Sequence, residues 1–202
     1  MPSIYDLKPR FQALLRPAVS FLASNRVTAN QVTLSAVGIS LIAGLCLYRW
    51  PTETWALLLI PVTLFIRMAL NAIDGLLARE HQMQSHLGAI LNELGDVISD
   101  AALYLPFAVI PGIEPALVVV IVILATISEM TGVVAVQIGT QRQYQGPMGK
   151  SDRALAFGLL AVLLASSIET GFWINLYLGV VLGLLILTIV NRARSALAEV
   201  NV

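Results

Sequence analysis

Carboxylate and amide side chains recur at helical spacing in the middle of a chain that is otherwise mostly apolar. Asn71 and Asp74 are three residues apart, so they share one face of a helix. Asn92, Asp96 and Asp100 follow at intervals of four residues, again on one helical face. Oxygen ligands that are gathered in this way suit a hard cation such as Mg²⁺ or Mn²⁺.

The two polar segments are separated only by the short stretch EHQMQSH, which predicts an antiparallel helical hairpin. If the hairpin turns near residue 83, Asp74 lies level with Asn92 and Asn71 lies level with Asp96. Each of these two pairs then contains one carboxylate and one amide. Charges at membrane depth are costly and normally face a cavity or each other. The alternative is a polar network that only joins two helices.

Small residues and one arginine flank the two carboxylate–amide pairs. Gly75 and Gly88 would leave room beside the carboxylates, and Arg79 would meet a phosphate at the cytoplasmic edge of the hairpin. A cation, open space and a guanidinium together predict a site for a diphosphate.

The composition is that of a membrane protein. Hydrophobic residues make up 57% and charged residues 12% of the 202 residues, and the mean hydropathy is +0.83. Soluble proteins carry about 25% charged residues. The formal net charge of zero offers no electrostatic argument for a nucleic-acid partner.

Apolar runs separated by polar or Pro/Gly-rich breaks predict an all-α integral membrane protein with six transmembrane helices. These helices are expected near 31–49, 54–80, 86–110, 114–141, 153–170 and 172–197. An amphipathic interfacial helix precedes them, so we expect an N-terminal segment at 1–25 and a membrane domain at 26–202. An ordinary amphipathic helix that packs on protein is the alternative for residues 1–25.

The lysines and arginines predict the orientation. Ten of the twelve fall on one side of the six predicted helices, which places both termini and the turn of the hairpin in the cytoplasm. The expected location is a bacterial inner membrane. Arg49 marks the opposite side, and Arg67 lies within a predicted span.

The stretch DGLLAR, followed after eight residues by GAILNELGD, resembles the signature of the CDP-alcohol phosphotransferases. That signature reads Asp-x₂-Asp-Gly-x₂-Ala-Arg-x₈-Gly-x₃-Asp-x₃-Asp. Asn71 and Asn92 replace its first and third aspartates. The residues that match it in register are Asp74, Gly75, Ala78, Arg79, Gly88 and Asp96.

The resemblance implies transfer of a phosphoalcohol group from a CDP-linked donor, such as CDP-diacylglycerol, to a hydroxyl acceptor, with release of CMP. It implies one or two Mg²⁺ or Mn²⁺ ions on the diphosphate, and a homodimer. Asp74 would be a metal ligand and Asp96 both the catalytic base and a ligand, with Asn71 and Asn92 in the remaining ligand positions. The nucleotide pocket would include Gly75, Ala78, Arg79 and Gly88, with Asn30 and Thr33 as further candidates. Thr28 or Asn30 could equally be an ordinary helix cap.

The acceptor side leaves alternatives open. Arg142, Lys150 and Arg153 could bind a phosphorylated acceptor such as a polyol phosphate, or they could enforce topology and meet anionic lipid headgroups. Asp100 could be an auxiliary acid one turn beyond Asp96. It could also join a buried cluster with Arg67 and Glu129.

The two amides leave three interpretations of the site: an active enzyme with a modified metal site, an active one-metal enzyme, or a relic that binds CDP-lipid without turnover. A small cation or metabolite transporter would use the same carboxylates. It would need access from both membrane faces, and the sequence contains no inverted repeat that supports this.

Overall fold

The computed structural model describes residues 4–166, 168 and 170–200. Within these residues every regular element is a helix, which confirms the all-α prediction. The α-helices are α1 (Ile4–Ser24), α2 (Ala29–Arg49), α3 (Thr54–Glu80), α4 (His86–Tyr104), α5 (Pro115–Val134), α6 (Lys150–Ala165) and α7 (Phe172–Val200). Residues 1–3 of the predicted N-terminal segment and 201–202 of the predicted membrane domain lie outside the described residues.

Four helices in the described part of the chain are long and apolar enough to cross a membrane: α2, α3, α5 with the turn that follows it, and α7. The other two predicted spans differ from them in composition or length. α4 has three acids, Glu93, Asp96 and Asp100, among its 19 residues, and α6 has 16 residues. The six-span count and the cytoplasmic termini therefore stay predictions.

Three of the predicted spans, which correspond to α4, α5 and α6, end earlier as α-helices than the sequence pattern predicted. α4 gives way to a 3₁₀ turn, Leu105–Val109, that contains Pro106 near its start. Proline cannot donate the backbone hydrogen bond that an α-helix requires at this point. α5 gives way to a second 3₁₀ turn, Ala135–Ile138, which ends at Gly139 with a φ of 87°. A glycine in the left-handed region is a common helix terminator.

The chain divides into two compact units. The first contains the residues up to Ile42 together with Val62–Ser99, and the second contains Ala43–Pro61 and the residues from Asp100 onward. An apolar core cluster holds the first unit together by joining α1, the start of α2 and the second half of α3. Its buried members are Val19, Ala29, Val32, Ile73, Leu76 and Leu77.

The N-terminal helix α1 therefore packs on protein along one side, through Val19. Its other side presents large apolar residues, with Leu14 75% and Phe21 67% exposed. A helix with one packed face and exposed apolar residues is compatible with the predicted interfacial position, which stays a prediction.

Glycines allow close approach between α2 and α4. In the first unit, a Cβ atom added to Gly95 would lie 3.1 Å from Cγ2 of Val37. In the second unit, a Cβ atom added to Gly44 would overlap the backbone carbonyl oxygen of Ala102. Small residues at such crossings let helices in membranes approach closely.

Gly44→Ala is expected to destabilise the protein by about 1–3 kcal/mol, because the methyl group meets a backbone atom that cannot rotate away. The midpoint of thermal unfolding in detergent measures the effect. Gly38→Ala on the same helix is the matched control, since a Cβ atom there has no neighbour within 4 Å among the described residues. Equal midpoints for the two variants would contradict the close contact.

Candidate functional site

The α3–α4 hairpin turns where the sequence predicted. Gln82 adopts a left-handed conformation with a φ of 56°, and the N–H of Met83 donates to the carbonyl of Ala78 over 3.1 Å. Ser85 then caps α4, since its Oγ accepts a hydrogen bond of 2.9 Å from the N–H of Gly88. The turn near residue 83 is therefore confirmed, and it determines which side chains of the two helices lie opposite each other.

The predicted pairing of Asn71 with Asp96 is present. Nδ2 of Asn71 donates to Oδ1 of Asp96 over 3.1 Å. Because an ionised carboxylate only accepts hydrogen bonds, the amide must present its nitrogen here, which leaves its carbonyl oxygen for another direction. Nη2 of Arg67, one turn earlier on α3, lies 3.0 Å from the backbone oxygen of Asp96 and 3.4 Å from the same Oδ1.

Asp74 is buried and receives a hydrogen bond from α2. Oγ1 of Thr33 donates to Oδ2 of Asp74 over 2.8 Å. α2 is oriented for this contact by a capping box at its start. The N–H of Gln31 donates to Oγ1 of Thr28, and the N–H of Thr28 donates to Oε1 of Gln31. Thr28 is thus the helix cap, and Thr33 contacts the predicted metal ligand.

A cavity of about 640 Å³ opens between the start of α2, the end of α3 and the start of α4, all within the first unit. Three of the four predicted metal positions line it: Asn71, Asp74 and Asn92. All six predicted nucleotide residues line it as well: Asn30, Thr33, Gly75, Ala78, Arg79 and Gly88. Asp96 is not among the described residues that line the cavity. It accepts a hydrogen bond from Asn71, which does line the cavity.

Two glycines give the cavity its room. A Cβ atom added to Gly75 would lie 3.2 Å from Nη1 of Arg79, so the absent side chain leaves space for this guanidinium. A Cβ atom added to Gly88 would lie 2.8 Å from Oδ1 of Asn30 and would separate α4 from the start of α2. The first turn of α4 lines the cavity too, and helix N-termini favour anionic groups.

The hairpin loop and the first residue of α4 also contribute to the cavity, which the sequence pattern did not predict. Met83, Gln84, Ser85 and His86 also line the cavity. The capping role of Ser85 was predictable from the sequence. A serine directly before the first residue of a helix is a typical N-cap, because its hydroxyl can accept a hydrogen bond from a backbone N–H in the first turn. The other loop residues carried no such signal.

The donor set fits a hard cation. Asp74 offers a carboxylate, and Asn71 and Asn92 offer amide oxygens to the same cavity, which are ligand types that Mg²⁺ and Mn²⁺ accept. A group of three or more Cys, His, Asp or Glu residues placed to hold a metal does not occur among the described residues. Among the described lining residues Asp74 is the one carboxylate, so a cation in this cavity would meet few full negative charges from its lining.

A second polar cluster lies in the second unit. Arg153 donates to Oδ2 of Asp100 over 2.9 Å and to Oε1 of Glu129 over 2.9 Å. Arg142 and Arg192 lie 3.2 and 3.4 Å from Oε2 of Glu129. Buried ion pairs of this kind need each partner, because removal of one leaves the other charge uncompensated.

This cluster changes the interpretation of several predicted site residues. One alternative expected a buried cluster of Asp100 and Glu129 with Arg67. The two acids do share a buried ion-pair cluster, and the arginine that binds both is Arg153. The Arg153 side chain is 1% exposed, whereas that of Arg142 is 23% exposed. Arg192, which the sequence analysis used only as a topology signal, is also part of the cluster.

Comparison with known proteins identifies relatives of the chain. Residues 26–190 match the family model described as CDP-alcohol phosphatidyltransferase. The chain is 48% identical over 195 residues to "Inner membrane protein YnbA" of Escherichia coli (strain K12), with 96% of each chain covered. It is 34% identical over 101 residues to an "Uncharacterized protein" of Aquifex aeolicus (strain VF5), which covers 50% of this chain and 47% of that protein.

Two solved structures share the fold. Both are of phosphatidylinositol phosphate synthase (PgsA1) from Mycobacterium tuberculosis and are 16% identical to the chain. The structure with CDP-DAG bound has a TM-score of 0.75 and covers 89% of this chain and 92% of that one. The structure in complex with manganese and citrate has a TM-score of 0.72, with 90% and 88% covered.

Thr33→Val is expected to destabilise the protein by about 1.5–3 kcal/mol, because the buried carboxylate of Asp74 loses a charge-assisted hydrogen bond. Thermal unfolding in detergent measures the loss. Thr33→Ser keeps the hydroxyl and should retain most of the stability. If valine and serine behaved alike, the hydroxyl contact would not matter.

Glu129→Gln is expected to cost about 3–5 kcal/mol, since three buried or half-buried arginines then lose one shared carboxylate. Denaturation in detergent, followed by the loss of helical circular dichroism, measures this cost. The control is Glu114→Gln, which changes an exposed acid just before the same helix. A glutamine variant as stable as the control would show that the arginines do not depend on Glu129.

Proposed function

The chain belongs to the CDP-alcohol phosphatidyltransferase family, whose members are transferases that act on CDP-activated donors, and we propose that it transfers a phosphatidyl group from CDP-diacylglycerol to a hydroxyl acceptor. CMP is the second product. The observation that carries this proposal is the cavity of the first unit, which all six predicted nucleotide residues line. The PgsA1 structure with CDP-DAG bound shares the fold and supports the choice of donor.

In this proposal the cavity binds the cytidine diphosphate part of the donor. Arg79, whose guanidinium lies beside Gly75, pairs with a phosphate. The first turn of α4 lines the same cavity and adds the partial positive charge of a helix N-terminus. Asn30 and Thr33 approach the nucleotide from α2. The lipid tails stay in the bilayer while the cytidine lies in a cavity that opens to water at the cytoplasmic face.

Asp74, with the amide oxygens of Asn71 and Asn92, would hold Mg²⁺ or Mn²⁺ against the diphosphate. A divalent cation bound there neutralises phosphate charge that would otherwise repel the approaching alcohol. Thr33 holds the Asp74 carboxylate in position through its 2.8 Å hydrogen bond. The complex of PgsA1 with manganese supports a divalent cation in a protein of this fold.

Asp96 is the proposed base. Arg67 and Asn71 both bind its Oδ1, which fixes the orientation of the carboxylate. The acceptor hydroxyl loses its proton to Asp96 while its oxygen forms a bond to the β-phosphorus of the donor. The bond from that phosphorus to the bridging oxygen breaks, and CMP departs with the electron pair.

A polyol phosphate is the proposed acceptor, and Arg142 and Lys150 are its proposed partners. Arg142 and Lys150 are only partly buried, so part of each side chain is accessible to an anionic group. Arg153 is almost fully buried, so we assign it to the support of this region through Asp100 and Glu129. In the same way, Asp100 acts on Arg153 and not on the reacting hydroxyl.

The proposed setting is a bacterial inner membrane. The apolar helices and the similarity to an Escherichia coli inner membrane protein support a membrane location. The excess of Lys and Arg on one side of the predicted spans supports a cytoplasmic active site. We also propose a homodimer, on the family resemblance alone.

The test is CMP release by the purified protein in detergent, with CDP-diacylglycerol, Mg²⁺ or Mn²⁺, and a panel of polyol phosphates and free alcohols. Metal-dependent CMP with at least one acceptor is expected. Asp96→Asn and Asp74→Asn should each lower the rate about 100-fold or more, because one loses the base and the other a charged ligand. Glu53→Gln, an acid-to-amide change at an exposed position, should keep the full rate.

Absence of CMP with every acceptor, from protein that still binds CDP-diacylglycerol, would overturn the transferase proposal. It would instead support a family member that binds the donor without turnover. Unchanged CMP release by Asp96→Asn would reject Asp96 as the base but leave the transferase proposal intact.

A further inference from the structure

A buried arginine binds the proposed base. The Arg67 side chain is 4% exposed, and its Nη2 contacts both the backbone oxygen and Oδ1 of Asp96. A guanidinium within an apolar helix is expensive, and such residues are found where they compensate another charge or serve a site. Arg67 lies outside the six positions that match the family signature, so the signature does not account for it.

The same carboxylate oxygen binds an amide from the same helix. Asn71 donates to Oδ1 of Asp96 over 3.1 Å, and Arg67 and Asn71 are four residues apart on one face of α3. One oxygen of the base is therefore bound by a full positive charge and by an amide N–H. Both come from the protein itself.

An aspartate at position 71 would be incompatible with this arrangement. The family signature has a carboxylate there, and its oxygen would face the Asp96 oxygen at about the length of the present hydrogen bond. Two carboxylates at this distance repel each other unless a cation lies between them or a proton is shared. In this chain an amide has replaced one carboxylate, and a guanidinium binds the other.

The charges of the four signature positions agree with this interpretation. Four aspartates would carry four negative charges, which two divalent cations balance. Asn71 and Asn92 leave two negative charges, and Arg67 offsets the one on Asp96. Asp74 is then the signature carboxylate that lines the cavity, and the phosphates of the substrate would bring further negative charge to a metal there.

We infer that the site takes one divalent cation, held by Asp74 with the amide oxygens of Asn71 and Asn92, and that Arg67 supplies to Asp96 the positive charge that a second cation would bring. The inference rests on the proposed function for the identity of the site. Arg67 is on this view a positioning residue, which acts through Asp96.

The test counts bound ions. The purified wild-type protein in detergent is titrated with Mn²⁺ in the presence of CDP, and electron paramagnetic resonance measures the Mn²⁺ that remains free. One ion per chain is expected, without the magnetic coupling that two adjacent Mn²⁺ ions would show. Two coupled ions per chain, or none, would overturn the inference.

Two variants test the role of Arg67. Asn92→Asp alone should still bind one ion, but more tightly, because a charged ligand replaces an amide while Arg67 stays in place. Arg67→Gln combined with Asn71→Asp and Asn92→Asp restores four aspartates without the guanidinium, and it should bind two coupled ions. A folded triple variant that binds one ion would show that Arg67 does not replace a cation.

Controls separate this role from a merely structural one. Arg16→Gln removes the exposed arginine that pairs with Glu80 and should bind one ion as the wild type does. If the triple variant does not fold, the counts for wild type and Asn92→Asp decide, and two ions in either of them reject the inference.

The outcome is independent of the CMP assay. One bound ion without CMP release would support the inference and reject the proposed activity. Two bound ions together with CMP release would reject the inference and support the proposed activity.

Discussion

The compensation of the Asp96 charge is the constraint on which the first unit depends. An ionised carboxylate in an apolar helix is stable only if a partner helix supplies donors at the right height. Arg67 and Asn71, one turn apart on α3, supply them. A shift of the hairpin by a residue would rotate these donors away, so this contact sets the register of α3 against α4. The same register brings Asp74 and Asn92 to one cavity.

The cavity is a consequence of small residues as much as of polar ones. Gly75 leaves space for the guanidinium of Arg79, and Gly88 leaves space for the amide of Asn30. α2 joins the site because its capping box sets where the helix begins, which aims Thr33 at Asp74. A membrane helix cannot rely on hydrophobic attraction to its neighbours, so close contacts and hydrogen bonds of this kind must determine its position.

The second unit also compensates buried carboxylates with arginines, and it does so with a larger number of charged residues. Asp100 and Glu129 share Arg153, and Arg142 and Arg192 complete the charges around Glu129. A hydrogen-bonded network of ions is rigid because each member loses a partner if another moves. Basic residues that a sequence pattern assigns to substrate can therefore be components of the protein interior, as the burial of Arg153 illustrates.

The sequence by itself determined the all-helical class, the polar faces of α3 and α4, and nine residues of the cavity lining. These follow from local rules: a period of 3.6 residues assigns Asn71 and Asp74 to one face, and a short polar loop makes the hairpin antiparallel. It did not determine the α-helical end at Tyr104 or the lining residues of the loop. Nor did it identify the partner of Arg67 or the arginine that Asp100 and Glu129 share. Only the tertiary structure decided those pairs, because the nearest opposite charge depends on how neighbouring helices pack, and residue spacing along one helix does not contain that information.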